Sequence, residues 1–404
     1  MNCRHCQLPL KHTFLDLGNA PPSNAYLREE DLNQPEINFT LKIKVCDQCW
    51  LVQTEDYTNA VSLFTPNYAY FSSTSSSFLL HAKDFSEKIT KVLSLNESSN
   101  VIEVASNDGY LLKNFVAANI PCLGIEPTKN TAEAAKKLNI PVIEKFFSEA
   151  LGKQLVMEGK QADLIIGNNV YAHVPDINDF TKGLKVLLKA EGTITLEFPH
   201  LMCLIQQTQF DTIYHEHFSY LSLHTIKRIF EKSGLKIWNV EKIMTHGGSL
   251  RIYGCHENDK REINKNVGIL LEEEVNCKLQ TLETYLSFQL RVEKIIDKFK
   301  SFLIKQKLSG KTVAAYGAAA KGNTLLNYAG INTDLVSVIF DASESKQGQY
   351  MPGSHIPIKD PVQIKDFNPD CIIILPWNIQ EEIKNKIDSY FSENKLVVSI
   401  NDFK

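Results

Sequence analysis

Four cysteines near the N-terminus stand in two CxxC pairs, Cys3-Arg4-His5-Cys6 and Cys46-Asp47-Gln48-Cys49. Two thiolates at that spacing grip one metal ion from a single tight turn. Two such turns complete a tetrahedral shell of four sulfurs, the set that zinc favours. A closed shell has no open coordination position. The expectation is therefore a structural Zn2+ holding a small module together, with the chemistry elsewhere in the chain. Neither pair has the strand-then-helix setting of a redox CxxC.

A second constellation is Glu103-Val104-Ala105-Ser106-Asn107-Asp108-Gly109-Tyr110-Leu111-Leu112. It sits where a buried strand turns into a helix. Small and polar residues there let the backbone approach a bound cofactor, and the helix start offers free N–H groups. The next strand ends at Glu126, followed by Pro127, and a carboxylate there can accept both ribose hydroxyls of a nucleoside. This pairing fits S-adenosylmethionine (SAM). A dinucleotide is disfavoured because the strict GxGxxG is missing. The candidate cofactor contacts are Glu103, Ala105, Ser106, Asn107, Gly109, Tyr110, Leu111, Glu126 and Pro127, with Asn168 and Asn169 from a later strand end.

Three further segments carry acid–base or anion-binding groups. Asn168-Asn169-Val170-Tyr171-Ala172-His173 follows a strand, which turns His173 toward the cleft at the strands' carboxyl ends. Asp211-Thr212-Ile213-Tyr214-His215-Glu216-His217-Phe218-Ser219-Tyr220 is the densest cluster of acid–base groups. A His beside a Glu can be held in one tautomer and act as a general base. If the segment is strand-like, His215 and His217 share a face; if helical, they point apart. Gly317-Ala318-Ala319-Ala320-Lys321-Gly322-Asn323-Thr324 offers N–H groups at a helix start beside a lysine. Both suit a phosphate.

The elements that position these groups follow from pattern. The chain has 404 residues, 43% of them hydrophobic, and a formal charge of −4. That suffices for two or three domains and argues against a nucleic-acid partner. No run approaches the roughly 18 apolar residues of a membrane span. The chain opens on a cysteine knuckle rather than a basic and apolar leader. Its other cysteines (Cys122, Cys203, Cys255, Cys277, Cys371) are scattered, as suits a reducing compartment. The expectation is a cytoplasmic protein. Residues 1–75 read as a zinc-ribbon-like module, with a loop over Leu15–Ser23 and strands at Phe39–Val45 and Leu51–Thr54. Residues 76–258 alternate strands and helices and end in an antiparallel hairpin, Leu235–Val240 with Ser249–Gly254. Residues 259–404 open with a charged helical stretch. They close with a smaller α/β unit, whose strands include Thr312–Tyr316 and Leu335–Asp341. The fold class is α/β: a zinc-binding module, a Rossmann-like class I methyltransferase domain and a second, smaller Rossmann-like domain.

Together these segments resemble the sugar C-methyltransferases of deoxysugar biosynthesis. The resemblance covers essentially the whole chain. It rests on the cysteine knuckles, Glu103–Gly109, Asn168–His173, Tyr214–His217, Gly247-Gly248-Ser249-Leu250-Arg251, Gly317–Gly322 and Gln347-Gly348-Gln349-Tyr350-Met351-Pro352-Gly353. That family methylates C-3 of nucleotide-linked 4-keto sugars. The resemblance implies that His217 is the base and that Tyr214, Glu216 and His173 line the same site. A tyrosine of Asn67-Tyr68-Ala69-Tyr70 belongs there too, either Tyr68 or Tyr70. Arg251, Tyr316, Lys321, Asn323 and Tyr350 are the candidate contacts to the sugar nucleotide, dTDP-linked first, GDP- or CDP-linked otherwise. We expect Glu216 to orient the His217 ring and Lys321 to meet the diphosphate.

Three other functions compete, of which a nucleotide-dependent oxidoreductase is weakened by the missing GxGxxG. A SAM-dependent O- or N-methyltransferase could use the same residues on a hydroxyl or amine. A non-catalytic zinc-ribbon and Rossmann-like binding protein would bind no SAM.

Overall fold

A computed structural model describes residues 1–55, 71–74, 76–391 and 395–404. Tyr68 and Tyr70 lie outside the described residues. Strands β1 (His12–Ala20), β2 (Phe39–Val45) and β3 (Val52–Thr54) form an antiparallel meander. The loop expected over Leu15–Ser23 is corrected here, because β1 runs through to Ala20. Its register against β2 slips twice, between Thr13 and Leu15 and between Asp16 and Asn19. Such bulges break the two-residue alternation by which a strand is recognised.

The central unit carries β4 (Val101–Val104), β5 (Cys122–Ile125), β6 (Val142–Ile143), β7 (Ala162–Asn168), β8 (Leu188–Pro199), β9 (Ser219–Tyr220), β10 (Leu235–Ile243) and β11 (Ser249–His256). Seven of these form one sheet in the order β10-β11-β8-β7-β4-β5-β6, with β11 antiparallel to both neighbours. Val101, Ile102, Ile165, Ile166 and Ile194 are fully buried. Helices such as Leu112–Ala117 and Ile177–Leu187 connect the strands. The near-continuous apolar runs of β4 and β7 follow from burial on both faces, each such side chain contributing about 1.5–3 kcal/mol. The strand order reverses beside β4, between β5 and β7. In such sheets ligands bind at the carboxyl ends of the strands where the order reverses.

The two-residue strand β9 leaves this sheet and joins the first one. It pairs antiparallel with β3, Val52 opposite Tyr220 and Gln53 opposite Ser219. The segment richest in acid–base groups is thereby sewn to the cysteine module.

Helices Lys265–Asn276, Leu282–Leu286 and Phe288–Leu308 lead to the third sheet. They pack back on the first, Phe14 stacking on Phe288 with centroids 4.6 Å apart. Strands β12 (Val313–Tyr316), β13 (Ile339–Phe340), β14 (Ile358–Lys359), β15 (Cys371–Ile374) and β16 (Leu396–Ser399) run parallel in the order β14-β13-β12-β15-β16. Of the strand expected over Leu335–Asp341, only Ile339–Phe340 pairs; Leu335 and Val336 instead close a turn onto Asn332. Among the described residues no helix is long and apolar enough to cross a membrane.

Candidate functional site

The two cysteine turns are built alike. The first cysteine's N–H bonds the carbonyl five residues on, Cys3 to Leu8 at 2.8 Å and Cys46 to Leu51 at 3.0 Å. The residue four on bonds back to that cysteine's carbonyl, Gln7 to Cys3 and Trp50 to Cys46, each at 3.0 Å. Both closing residues, Gln7 and Trp50, are left-handed, at φ 65° and 62°. All four sulfurs lie within 4.8 Å of one another, with Cys3–Cys49 at 3.4 Å and Cys6–Cys46 at 3.5 Å. A zinc–sulfur bond of about 2.3 Å sets tetrahedral edges near 3.8 Å. The donor set therefore fits one zinc ion with no open position.

The loop after β4 has the backbone of a glycine-rich turn without the glycines. Ala105, Asn107 and Gly109 are all left-handed, at φ 59°, 49° and 79°. The alternate spacing reproduces GxGxG in conformation, and only the last position shows it in residue type. At Gly109 a Cβ would lie 2.5 Å from Ile140 Cδ1. Glu126 ties the loop down: one carboxylate oxygen accepts the Asn107 N–H at 2.9 Å, the other the Thr128 N–H at 2.9 Å. Asn107 and Asp108 in turn accept from the backbone of Ser72 and Ser73. Around this loop Glu103 Oε2, Ser106 Oγ, Asp108 Oδ1, Asn168 Oδ1 and Asn169 Oδ1 are buried without partners among the described residues. Burial, with Glu126 and Asp108 adding to it, pushes the Glu103 carboxyl well up. Orphaned acceptors in such number fit a ligand with an ammonium and several hydroxyls, as SAM has. Tyr110 stacks on Phe78 at 5.2 Å beside it. Leu111 is core, and Pro127 is half-buried.

The histidine cluster centres on the segment between β8 and β9. Tyr214–His217 is a turn, closed by the His217 N–H on the Tyr214 carbonyl at 3.0 Å. It is neither strand nor helix, and the two histidines diverge. His215 Nε2 donates to the Phe39 carbonyl of β2 at 3.1 Å. His217 Nδ1 donates to the Thr212 carbonyl at 3.0 Å. A carbonyl only accepts, so the proton is on Nδ1 and Nε2 keeps its lone pair. Burial, with the charges of His173, His246 and Lys321, holds His217 well below its ordinary range. His217 packs between Tyr214, at 4.0 Å, and His173, at 4.6 Å.

His173 Nδ1 likewise donates to a carbonyl, that of Glu216, at 2.8 Å, and burial lowers it to about 4. The expectation that Glu216 orients His217 is corrected. The Glu216 carboxylate takes the Asn24 side-chain amide instead, at 2.8 and 2.9 Å. Burial raises Glu216 to about 7 despite that bond.

His246, which sequence reasoning passed over, completes the cluster. It sits left-handed at φ 55° between β10 and β11, with Nε2 buried and without a partner among the described residues, and burial lowers it to about 4. Its ring meets Phe78 edge-on at 5.9 Å. Arg251 is committed to Glu197, Nη2 to Oε2 at 2.8 Å, and both are buried. His81 bonds the same carboxylate at 3.0 Å. Burial would raise Glu197, but the His81 bond and the Arg251 charge outweigh it and hold it low.

Of the residues expected from the third sheet, Tyr316 packs with Val338 and Phe340 in that sheet's own core. Tyr350 bridges by its backbone to Leu27 and Pro357. Asn323 is buried and accepts from Asn327. Lys321 lies on Trp377, 4.6 Å from the ring centroid.

Three family models match in chain order: a zinc binding domain over residues 3–64, a methyltransferase domain over 79–240 and a C-methyltransferase C-terminal domain over 244–400. The C-methyltransferase NovU of Streptomyces niveus is 31% identical over 392 residues, 97% of this chain and 93% of that protein. The chain belongs to the SAM-dependent C-methyltransferase family. As a C-methyltransferase it takes its methyl group from SAM, and the four-cysteine cluster is its zinc site. The SAH-bound magnesium protoporphyrin IX methyltransferase ChlM of Synechocystis PCC 6803 aligns with 44% of this chain and 84% of its own, at 13% identity and TM-score 0.35. A SAM-dependent methyltransferase of Anabaena variabilis aligns with 44% and 85%, at 17% identity and TM-score 0.36.

Proposed function

We propose that this C-methyltransferase methylates C-3 of a nucleotide-linked 4-keto-6-deoxysugar through an enolate, with His217 as the base. The observation that carries this reading is the His217–Thr212 bond, which leaves the Nε2 lone pair uncommitted and the ring neutral.

The chemistry sets the demands. A saturated carbon is no nucleophile, but a carbon beside a ketone becomes one when its proton is removed. His217 Nε2 takes the C-3 proton, and the C–H electron pair moves into the C-3–C-4 bond as the carbonyl becomes an oxyanion. Bound SAM would supply an electrophilic methyl group, its sulfonium sulfur keeping the bond pair and leaving as a thioether while the C-3 carbon takes the methyl and the ketone re-forms. Glu103, Ser106, Asn107, Glu126, Asn168 and Asn169 would hold SAM at the β4 loop. Tyr214 and His173 flank the base and fix where the sugar ring sits; alignment of carbon and methyl is a positioning problem. Thr212 holds the base's tautomer.

Solvent exchange tests the reading. In D2O without SAM, dTDP-, GDP- and CDP-linked 4-keto-6-deoxyglucose serve as probes. Deuterium should enter C-3 of at least one of them. Entry at C-5, the other carbon beside the ketone, would move the methylated position. Methyl transfer without any exchange would favour an O- or N-methyltransferase.

A further inference from the structure

Lys321 stands in the first turn of the helix Ala320–Ala329 of the third sheet's unit, and its half-buried side chain turns toward Trp377 and Asn378. Nζ donates to Asn378 Oδ1 at 2.5 Å and rests on the Trp377 ring. Among the described residues it makes no ion pair; its one hydrogen bond goes to a neutral amide. Trp377 fixes that position. Its indole N–H donates to Asp211 Oδ2 at 2.6 Å. On its other side sits Gly247, where a Cβ would fall 2.4 Å from the Trp377 ring, so His246 is pressed close as well.

Three successive residues bind this lysine unit to the base. Asp211 holds Trp377. The Thr212 carbonyl holds His217. The Ile213 carbonyl accepts from Thr324 Oγ1, one helical turn beyond Lys321, at 2.8 Å. Lys321 and His217 are thus placed by one short segment. The lysine's charge reaches both His217 and His246.

The Asp211 carboxylate supports this charge without a direct bond to it, and a half-buried ammonium whose one direct partner is a neutral amide still gains from an anion in contact. Two anions are on offer, the diphosphate and the enolate. The turn beside Lys321 is unsuited to a diphosphate. Its Ala318 N–H already donates to the Asp341 carboxylate at 2.6 Å, and Tyr26 and Lys346 occupy the Ala318 carbonyl. That carboxylate, paired with Lys346 at 3.8 Å, already takes the N–H that a phosphate would need. The enolate oxygen, by contrast, lies two bonds from the carbon that His217 deprotonates.

We propose that Lys321 is a catalytic residue whose ammonium neutralises the enolate oxygen while His217 takes the neighbouring proton. This rests on the keto-sugar reading above. No proton leaves the lysine: the carbonyl π pair moves to oxygen, meets the ammonium and returns when the new carbon–carbon bond forms.

The test uses Lys321→Met and Lys321→Arg in the full chain. Deuterium wash-in is read on the three keto-sugar probes. Binding of bare dTDP, GDP and CDP is read by calorimetry, with sinefungin binding as the control for folding. Loss of one oxyanion partner costs about 10²–10³ in rate, so Lys321→Met should lose that much exchange. Nucleoside diphosphate and sinefungin affinities should stay within about threefold. Lys321→Arg, which keeps the charge, should exchange faster than Lys321→Met. If Lys321→Met does not bind sinefungin, Lys321→Gln reads the same loss. Exchange near the wild-type rate in a folded neutral variant overturns the proposal. So does a loss of nucleoside diphosphate affinity that matches the loss of exchange, which returns Lys321 to the diphosphate. If the wild-type protein exchanges none of the probes, the keto-sugar reading itself fails and this proposal falls with it.

Discussion

Asn24 donates its side-chain amide to both carboxylate oxygens of Glu216, at 2.9 and 2.8 Å, across 192 residues of sequence. One partner follows β1 of the cysteine module, and the other belongs to the turn that carries His217 and holds His173. Tyr26, two residues on, reaches the Ala318 carbonyl of the third sheet's unit at 2.7 Å. The short segment Asn24–Tyr26 therefore touches both walls of the cleft. The cysteine module is part of the site rather than an appendage.

That contact has a measurable consequence. Burial raises Glu216 to about 7, and the Asn24 bond is what opposes it. Asn24→Leu should push the carboxyl higher, by roughly one pKa unit for a charge-assisted bond. A Glu216-resolved 13C titration reads this directly. The sign for stability follows. A carboxyl raised in the fold holds its proton where the unfolded chain has lost it. This group therefore favours folding below about pH 4.5 and gives that contribution up as pH rises through 7. An unchanged titration in Asn24→Leu would mean that the amide does not govern this carboxyl.

The second prediction concerns the metal. Zinc at Cys3, Cys6, Cys46 and Cys49 should brace β3, and β3 pairs with β9 just past His217. Elemental analysis should find one zinc per chain, and Cys46→Ser should lose it. Amide exchange at Ser219 and Tyr220 should then quicken, and deuterium wash-in on the keto-sugar probes should fall. Sinefungin binding should largely survive, since the β4 loop is tied to Glu126, which accepts the Asn107 N–H and is itself held by the Thr128 N–H. Slow exchange at Ser219 and Tyr220 after zinc loss would separate the metal from the His217 turn.

Some of this was legible in residue types and some could not be. The knuckles announce themselves because thiolates at CxxC spacing have few other uses. The strand-end acid Glu126 and the alternation of strands and helices mark the central sheet. The partner of Glu216 was hidden by distance along the chain. The partner of His217 was hidden because it is a backbone carbonyl, to which residue type is blind. The glycine-rich turn was hidden because Ala105 and Asn107 adopt the glycine conformation. His246 lacked any flanking acid or aromatic to single it out. It matters only because the hairpin turn lands on Trp377.

His217 carries the third prediction. Burial keeps it neutral well below its ordinary value. Its base form should therefore persist as pH falls through 6.5, where an ordinary imidazole would be half protonated. No acid limb belonging to His217 should appear there in the exchange rate. His217→Ala should lose about 10²–10⁴ in exchange while still binding sinefungin. His215 points away to Phe39, so His215→Ala should retain exchange. The reverse pattern in the two variants would transfer the role to His215.

The last prediction concerns the β4 loop. A left-handed backbone costs a non-glycine residue about 1–2 kcal/mol. Ala105 bears that cost at φ 59°. Glycine would relieve it and give back about 0.4–1 kcal/mol through a freer unfolded chain. Ala105→Gly should therefore stabilise the protein by about 0.5–1 kcal/mol, read in a denaturant titration. Gly109→Ala should do the opposite. It is also left-handed, and its Cβ would lie 2.5 Å from Ile140 Cδ1 and 3.1 Å from Ala135 Cβ. Glu126→Ala acts on the same loop differently, leaving the N–H groups of Asn107 and Thr128 without their acceptor. It should weaken SAM binding by about 1–3 kcal/mol, the scale of a charge-assisted bond. If Ala105→Gly destabilises instead, the alanine methyl makes contacts worth more than the strain it carries. If Glu126→Ala binds SAM as tightly as the wild type, the ribose hydroxyls lie elsewhere.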